Sequence, residues 1–225
     1  MTVGYFGKLP ARADFVTNRC PNGFLKVWEP FLNEGIARSR LDLKEAWQEA
    51  YMTMPVWRFW LSSCVSGGSF EGMVTGAVMP SVDKVGREFP LTIVVRMAED
   101  KTQMVASEDW YCDVEAILLQ TLEDGAELSD FQSAVARLVA PDIAARPLIA
   151  KHSTKLAPRL DEEHNLQCVF WCAAAGSQVV FECAGLPHAE ELRWLLLPED
   201  HPETRMQSGK AGNNHGRFQS EDQRT

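Results

Sequence analysis

No stretch of the 225-residue chain reaches the roughly 18 uninterrupted apolar residues that a membrane-crossing helix needs. The nearest, residues 169–186, is interrupted by Gly176, Ser177, Gln178 and Glu182 and reads as two short strands. Basic excess is also lacking. Lys and Arg total 22 against 31 Asp and Glu, a formal charge of −9, which argues against a nucleic-acid binder. The opening MTVGYFGKLPAR has neither an apolar core nor a small-residue cleavage site, so it does not read as a signal peptide, and a cytoplasmic location is expected. No G-x-S-x-G nucleophile turn occurs. No second Cys or His pair accompanies Cys168 and Cys172, and on a strand these two lie roughly 13 Å apart, too far to share a zinc ion. The six cysteines fall mostly in apolar runs and read as reduced core residues, with no metal and no cofactor expected.

What is present is a 45% apolar chain with seven Trp, enough to bury a core without staples. Residues 3–6 start with a short apolar strand, and a polar loop follows over residues 7–16. Phe24, Val27, Trp28, Phe31, Leu32 and Ile36 recur at helical spacing, with Asn22 as the expected N-cap and Pro30 as an expected kink or restart. Ala46, Trp47, Ala50 and Tyr51 mark a second helix. Residues 56–61 are apolar at both parities, as in a strand covered on both faces. A turn at residues 66–69, a strand at 72–79, a loop at 80–90 and a strand at 91–97 follow.

Trp110, Val114, Ile117 and Leu118 then mark one helix, and Phe131, Val135 and Leu138 another. Residues 141–165, with three prolines, read as an irregular connection. A hairpin is expected over 166–171 and 178–183, turning at residues 174–176, and a helix over 188–197 with Pro187 in its first turn. Residues 199–225 hold only Met206, Ala211 and Phe218 as hydrophobics, so a disordered tail is expected after a domain spanning 1–198. Consecutive strands and separate helix pairs predict one α/β domain, a three-layer α-β-α sandwich around a mainly antiparallel sheet.

Candidate chemistry is sparse. Gly4-Tyr5-Phe6-Gly7-Lys8-Leu9 lacks the spacing and the Ser or Thr of a phosphate-binding loop. Ser81, Asp83, Lys84 and Arg87 crowd the 80–90 loop between two apolar strands. Such a set can tie a loop to its own backbone, or present Lys and Arg to an acidic partner. A hydrolase or phosphate-ester enzyme using Ser81 and Asp83 is the alternative, and it requires a cleft with perturbed titratable groups. A purely structural subunit would need a large exposed apolar patch. Trp57, Phe59 and Trp60 are read as core, Arg58 as pointing to a carboxylate or to the sheet rim, and Asp14 as a partner for a basic residue of the 81–87 loop.

Four stretches in order, GYFGKLPARADFV, Trp47-x3-Tyr51, PVWRFWL and MPSVDKVGREFPLT, resemble the TagF (ImpM) family of type VI secretion accessory proteins. Ala13 stands where that family usually has Gly, narrowing the loop's backbone options, and Glu88 replaces the usual aromatic, adding an acid beside Arg87. The resemblance implies an α-β-α sandwich with longin-like character. It implies a cytoplasmic post-translational repressor linked to the system's forkhead-associated scaffold protein, not an enzyme. Expected partners are type VI secretion proteins, with no nucleic acid and no membrane insertion. On this reading Arg12, Asp14, Ser81, Asp83, Lys84 and Arg87 are the partner-binding residues, with no catalytic residue.

Overall fold

Strands that are apolar at both parities need cover on both faces, and the sheet meets this by alternation. A computed structural model describes residues 2–63, 72–97, 104–139, 141, 143–145, 153–158, 166–174 and 177–204. In β3 (Trp57–Ser63), Trp57, Phe59 and Leu61 enter one core while Trp60 enters the other. The same alternation runs through β4 (Gly72–Met79), where Val74 and Val78 oppose Met73, Ala77 and Met79. It continues in β5 (Leu91–Arg96), β9 (Leu166–Ala174) and β10 (Ser177–Cys183).

With β1 (Val3–Gly7), β2 (Val16–Asn18) and β8 (Thr154–Lys155) these strands form one eight-stranded sheet in the order β2-β1-β5-β4-β3-β9-β10-β8. Every pairing is antiparallel except β10 with β8. β6 (Met104–Ala106) and β7 (Ile143–Ala145) form a separate antiparallel pair.

Helices α1 (Phe24–Leu43), α2 (Trp47–Met52) and α5 (Leu192–Leu196) cover one face. The stripe Phe24, Trp28, Phe31, Leu32 and Ile36 is the buried side of α1, as its spacing predicts. Trp28 stacks 4.4 Å from Phe59 and donates its indole N–H to Thr92 Oγ1 at 3.0 Å, so the deeply buried polar atom is satisfied. α3 (Glu108–Gln120) and α4 (Leu128–Arg137) cover the other face through Trp110, Tyr111, Val114, Leu118, Phe131 and Val135. The result is the α-β-α arrangement around a mostly antiparallel sheet.

Arg58, pointing to the α3 side, donates to Glu115 Oε1 at 2.6 Å and to Glu108 Oε1 and Oε2 at 2.6 and 2.7 Å, and lies over the Tyr111 ring. Burial alone would lower its pKa; the bonds to Glu115 and Glu108 outweigh that and raise it, so the guanidinium stays charged. Cys168, Cys172 and Cys183 are buried, and burial pushes the Cys172 thiol up to about 12. No group of His, Cys, Asp and Glu fit to hold a metal occurs among the described residues.

The structure corrects several local expectations. Gly23, in the left-handed region, precedes α1 in place of Asn22 as cap, and no side chain caps that end. The helix continues through Pro30 without restarting, because Trp28, Phe31 and Leu32 are buried on either side of it. β2 was not anticipated, since three residues of an edge strand carry little pattern. The irregular 141–165 stretch contributes the short β7 and β8. Pro187 does not open a helical turn; it forms an isolated bridge with Pro158, and His188 caps the following 3-10 turn. His201, within the stretch read as a disordered tail, packs 4.9 Å from Trp194 and 5.7 Å from Phe181. The 66–69 and 175–176 turns, Cys64 and residues 205–225 lie outside the described residues. Among the described residues no helix is long and apolar enough to cross a membrane.

Candidate functional site

β1 pairs with β5, and β5 with β4, so the loop after β1 and the loop between β4 and β5 leave the sheet at the same end. Gly7 makes their approach possible. Its φ is +140°, and a Cβ there would stand 2.0 Å from the Pro90 carbonyl oxygen. The two loops meet through side chains that point inward. Ser81, only 2% exposed, donates its hydroxyl to the Lys8 carbonyl at 2.8 Å. Lys8 Nζ lies 3.1 Å from Asp83 Oδ2, and both side chains are buried.

Asp83 organises its own loop. Its Oδ1 accepts from the backbone N–H groups of Val85 at 3.0 Å and Arg87 at 2.9 Å. Its Oδ2 accepts from Arg87 Nε at 2.6 Å. Burial alone would raise the carboxyl's pKa. The Arg87 N–H, the Arg87 guanidinium, Lys8 and the Val85 N–H outweigh it and hold the carboxyl well below its ordinary value. Backbone bonds close the turn, from Asp83 N to Arg87 O at 3.0 Å and from Gly86 N to Asp83 O at 2.9 Å.

The joint to the first loop uses backbone groups: Lys84 N donates to Arg12 O at 2.9 Å, and Arg87 Nη2 donates to Ala13 O. The expected ion pair of Asp14 with this loop does not form among the described residues. Arg87 is held instead by Asp83, four residues away, and by a carbonyl.

α2 supports the loop from beneath. Tyr51 OH donates to Ser81 O at 2.8 Å and accepts from Ser81 N at 3.0 Å, while its ring stacks on Trp47 at 4.9 Å. Burial pushes the Tyr51 phenol well above its ordinary value of 10.0, so it stays protonated and able to donate. Arg40 lies 4.2 Å over the Trp47 ring and pairs with Glu88 at 3.0 Å. Phe15 stacks on Phe6 at 5.6 Å and meets Phe89 edge-on at 4.8 Å, sealing the base of both loops.

The six singled-out residues therefore divide in two. Ser81 and Asp83, 2% and 3% exposed, are internal supports. Arg12, Asp14 and Lys84 are exposed, and the Arg87 side chain is 60% exposed. A Ser81/Asp83 hydrolase site is contradicted by this geometry: the hydroxyl is committed to a carbonyl, and among the described residues the carboxylate's partners are donors from Lys8 and its own turn. The described histidines, His188 and His201, belong to the α5 region.

Lys8, Tyr51, Arg40 and Glu88 are the members that sequence reasoning did not assign to the site. The i, i+4 spacing of Trp47 and Tyr51 was visible, but not what Tyr51 would reach.

The TagF N-terminal domain model, type VI secretion system-associated, matches residues 4–138, which hold all of these groups. The crystal structure of PA0076 from Pseudomonas aeruginosa PAO1 superimposes with a TM-score of 0.69 at 31% identity, covering 87% of this chain and 94% of that one. No curated protein matches the chain. The same segment that builds the loop pair thus carries the family match, and the chain belongs to the TagF family of type VI secretion-associated proteins.

Proposed function

We propose that this protein is a cytoplasmic post-translational repressor of type VI secretion, acting by binding a partner and not by catalysis. The partner in this reading is the forkhead-associated scaffold component of the system. The domain proposed as 1–198 takes in the packed His201 as well, and only the remainder of the 199–225 tail is proposed as dispensable. The observation that carries the reading is the division of labour in the loop pair. Asp83 and Ser81 are spent internally on Lys8, Arg87 and Tyr51, which leaves Arg12, Asp14, Lys84 and the outer edge of Arg87 on a pre-set surface. A surface held in one conformation before binding loses less entropy when it docks.

Co-purification of the host's forkhead-associated scaffold tests this. Arg12→Glu and Lys84→Glu should each reduce capture while the melting temperature stays within about 1–2 °C of the parent, as expected for exposed substitutions. Arg87→Glu is a poorer probe, because it would set a second carboxylate against Asp83 and release Ala13. Capture undiminished by both exposed reversals would remove the loop pair from the mechanism.

A further inference from the structure

Resting on that assignment of the loop pair as a docking surface, we propose that what docks there is an acidic segment of a partner protein that also carries an apolar side chain. The charges at this end of the sheet point to it. Lys8 and Asp83 offset each other in the interior at 3.1 Å, and Arg40 and Glu88 offset each other at 3.0 Å. What remains outside is Arg12, Lys84 and the outer edge of Arg87, with Asp14 as the opposing charge on the same loops.

The bond from Lys84 N to Arg12 O fixes the backbones of two exposed cations against each other. Neither cation makes an ion pair among the described residues. Adjacent like charges repel, and an anion placed between them relieves that repulsion. The apolar component is at the same place. Val85, at the tip of the turn between Lys84 and Gly86, is 65% exposed, and Phe15 is 46% exposed. A carboxylate-bearing segment with one apolar residue complements both features.

The rest of the molecule selects the size of the ligand. A chain of net charge −9 repels an extended polyanion such as nucleic acid or an anionic membrane. A short acidic segment can reach Arg12 and Lys84 without spanning Glu123, Asp124, Glu127 and Asp130, the acids that share a pocket with Leu9.

The test uses the full chain and three probes: a 12-residue Asp/Glu-rich peptide containing one Leu, its Lys-rich counterpart, and vesicles containing phosphatidylserine. Binding of the labelled peptides is followed by fluorescence anisotropy, and that of the vesicles by sedimentation. The acidic peptide should bind and the other two should not. Arg12→Glu and Lys84→Glu should each weaken the acidic peptide by about three- to tenfold. Val85→Ser should weaken it by a similar factor at unchanged salt dependence.

Equal binding to the Lys-rich peptide, preferential binding to vesicles, or no binding of the acidic peptide overturns the proposal. If the acidic peptide fails while the two reversals still abolish scaffold capture, the ligand chemistry is wrong and the docking assignment stands. If capture and peptide binding both ignore the reversals, both fall.

Discussion

Tyr51→Phe isolates one oxygen atom on which the 80–90 loop depends. The phenylalanine ring keeps the stack on Trp47, so little packing changes. The lost hydroxyl was both donor to Ser81 O and acceptor for Ser81 N. The carbonyl keeps a second donor, Phe89 N at 3.0 Å, and so remains satisfied. The Ser81 N–H makes no second bond among the described residues, and it is buried. An orphaned buried donor costs about 1–3 kcal/mol and the net hydrogen bond about 0.5–1.5 kcal/mol, so the variant should lose about 2–4 kcal/mol. For a domain of this size, that corresponds to a fall in melting temperature of about 4–16 °C.

Urea unfolding followed by tryptophan fluorescence gives the free energy, and hydrogen exchange at the Ser81 amide locates it. The amide should exchange faster in the variant, even under conditions where the helices remain protected. A melting shift within 1 °C together with unchanged protection at Ser81 would refute the account of α2 as the loop's support.

Two further outcomes follow from the same geometry. Asp83 has its folded-state pKa depressed below the ordinary 3.8, so its contribution to stability is complete above that value and is lost as pH falls through the lower folded value. Asp83→Asn should therefore lower stability at neutral pH and flatten the acid limb of the stability profile, and an acid limb as steep as the parent's would contradict this. Gly76→Ala would place a Cβ 2.0 Å from Ile93 O and 3.0 Å from Phe59 Cζ, between paired central strands, and should cost about 3 kcal/mol or more. A parental urea midpoint would show that the strands separate more easily than this contact requires.

Much of the scaffold was legible because burial imposes a period. Residues 56–61 are apolar at both parities, and the structure gives them two cores to fill, with Arg58 reaching the carboxylates of α3. The α1 stripe was readable for the same reason. Pro30 was misleading because a local rule was set against buried aromatic side chains, and the packing prevailed. Edge strands of two or three residues leave no period to read, which is why β2 and β8 were missed. Charge pairing at the site was the least legible. Sequence shows which charges lie near one another along the chain but not which way they turn. Asp14 reads as the partner of a basic residue in this loop; in the fold it is Asp83 that faces Arg87 and Lys8.

Three of the four stretches that carry the family resemblance meet in one physical unit. Lys8, from the first, lies against Asp83 from the last, and Tyr51 from the second holds Ser81 of the last. A buried ion pair is weak evidence for stability, because desolvation offsets much of the attraction; what it does supply is a penalty for any arrangement that leaves one charge buried alone. Lys8 and Asp83, 75 positions apart, thereby fix how two loops meet.

The two departures from the family's usual residues fit the same logic. Arg87 contacts position 13 through its carbonyl, which alanine supplies as well as glycine, and Ala13 has no positive φ that would need glycine. Glu88 pairs with Arg40 at 3.0 Å, which offsets the added acid. Both leave the internal frame intact, so the side chains that make the motif recognisable are largely those that hold the surface in place, while Arg12, Lys84 and Val85 are the ones positioned to touch what comes to it.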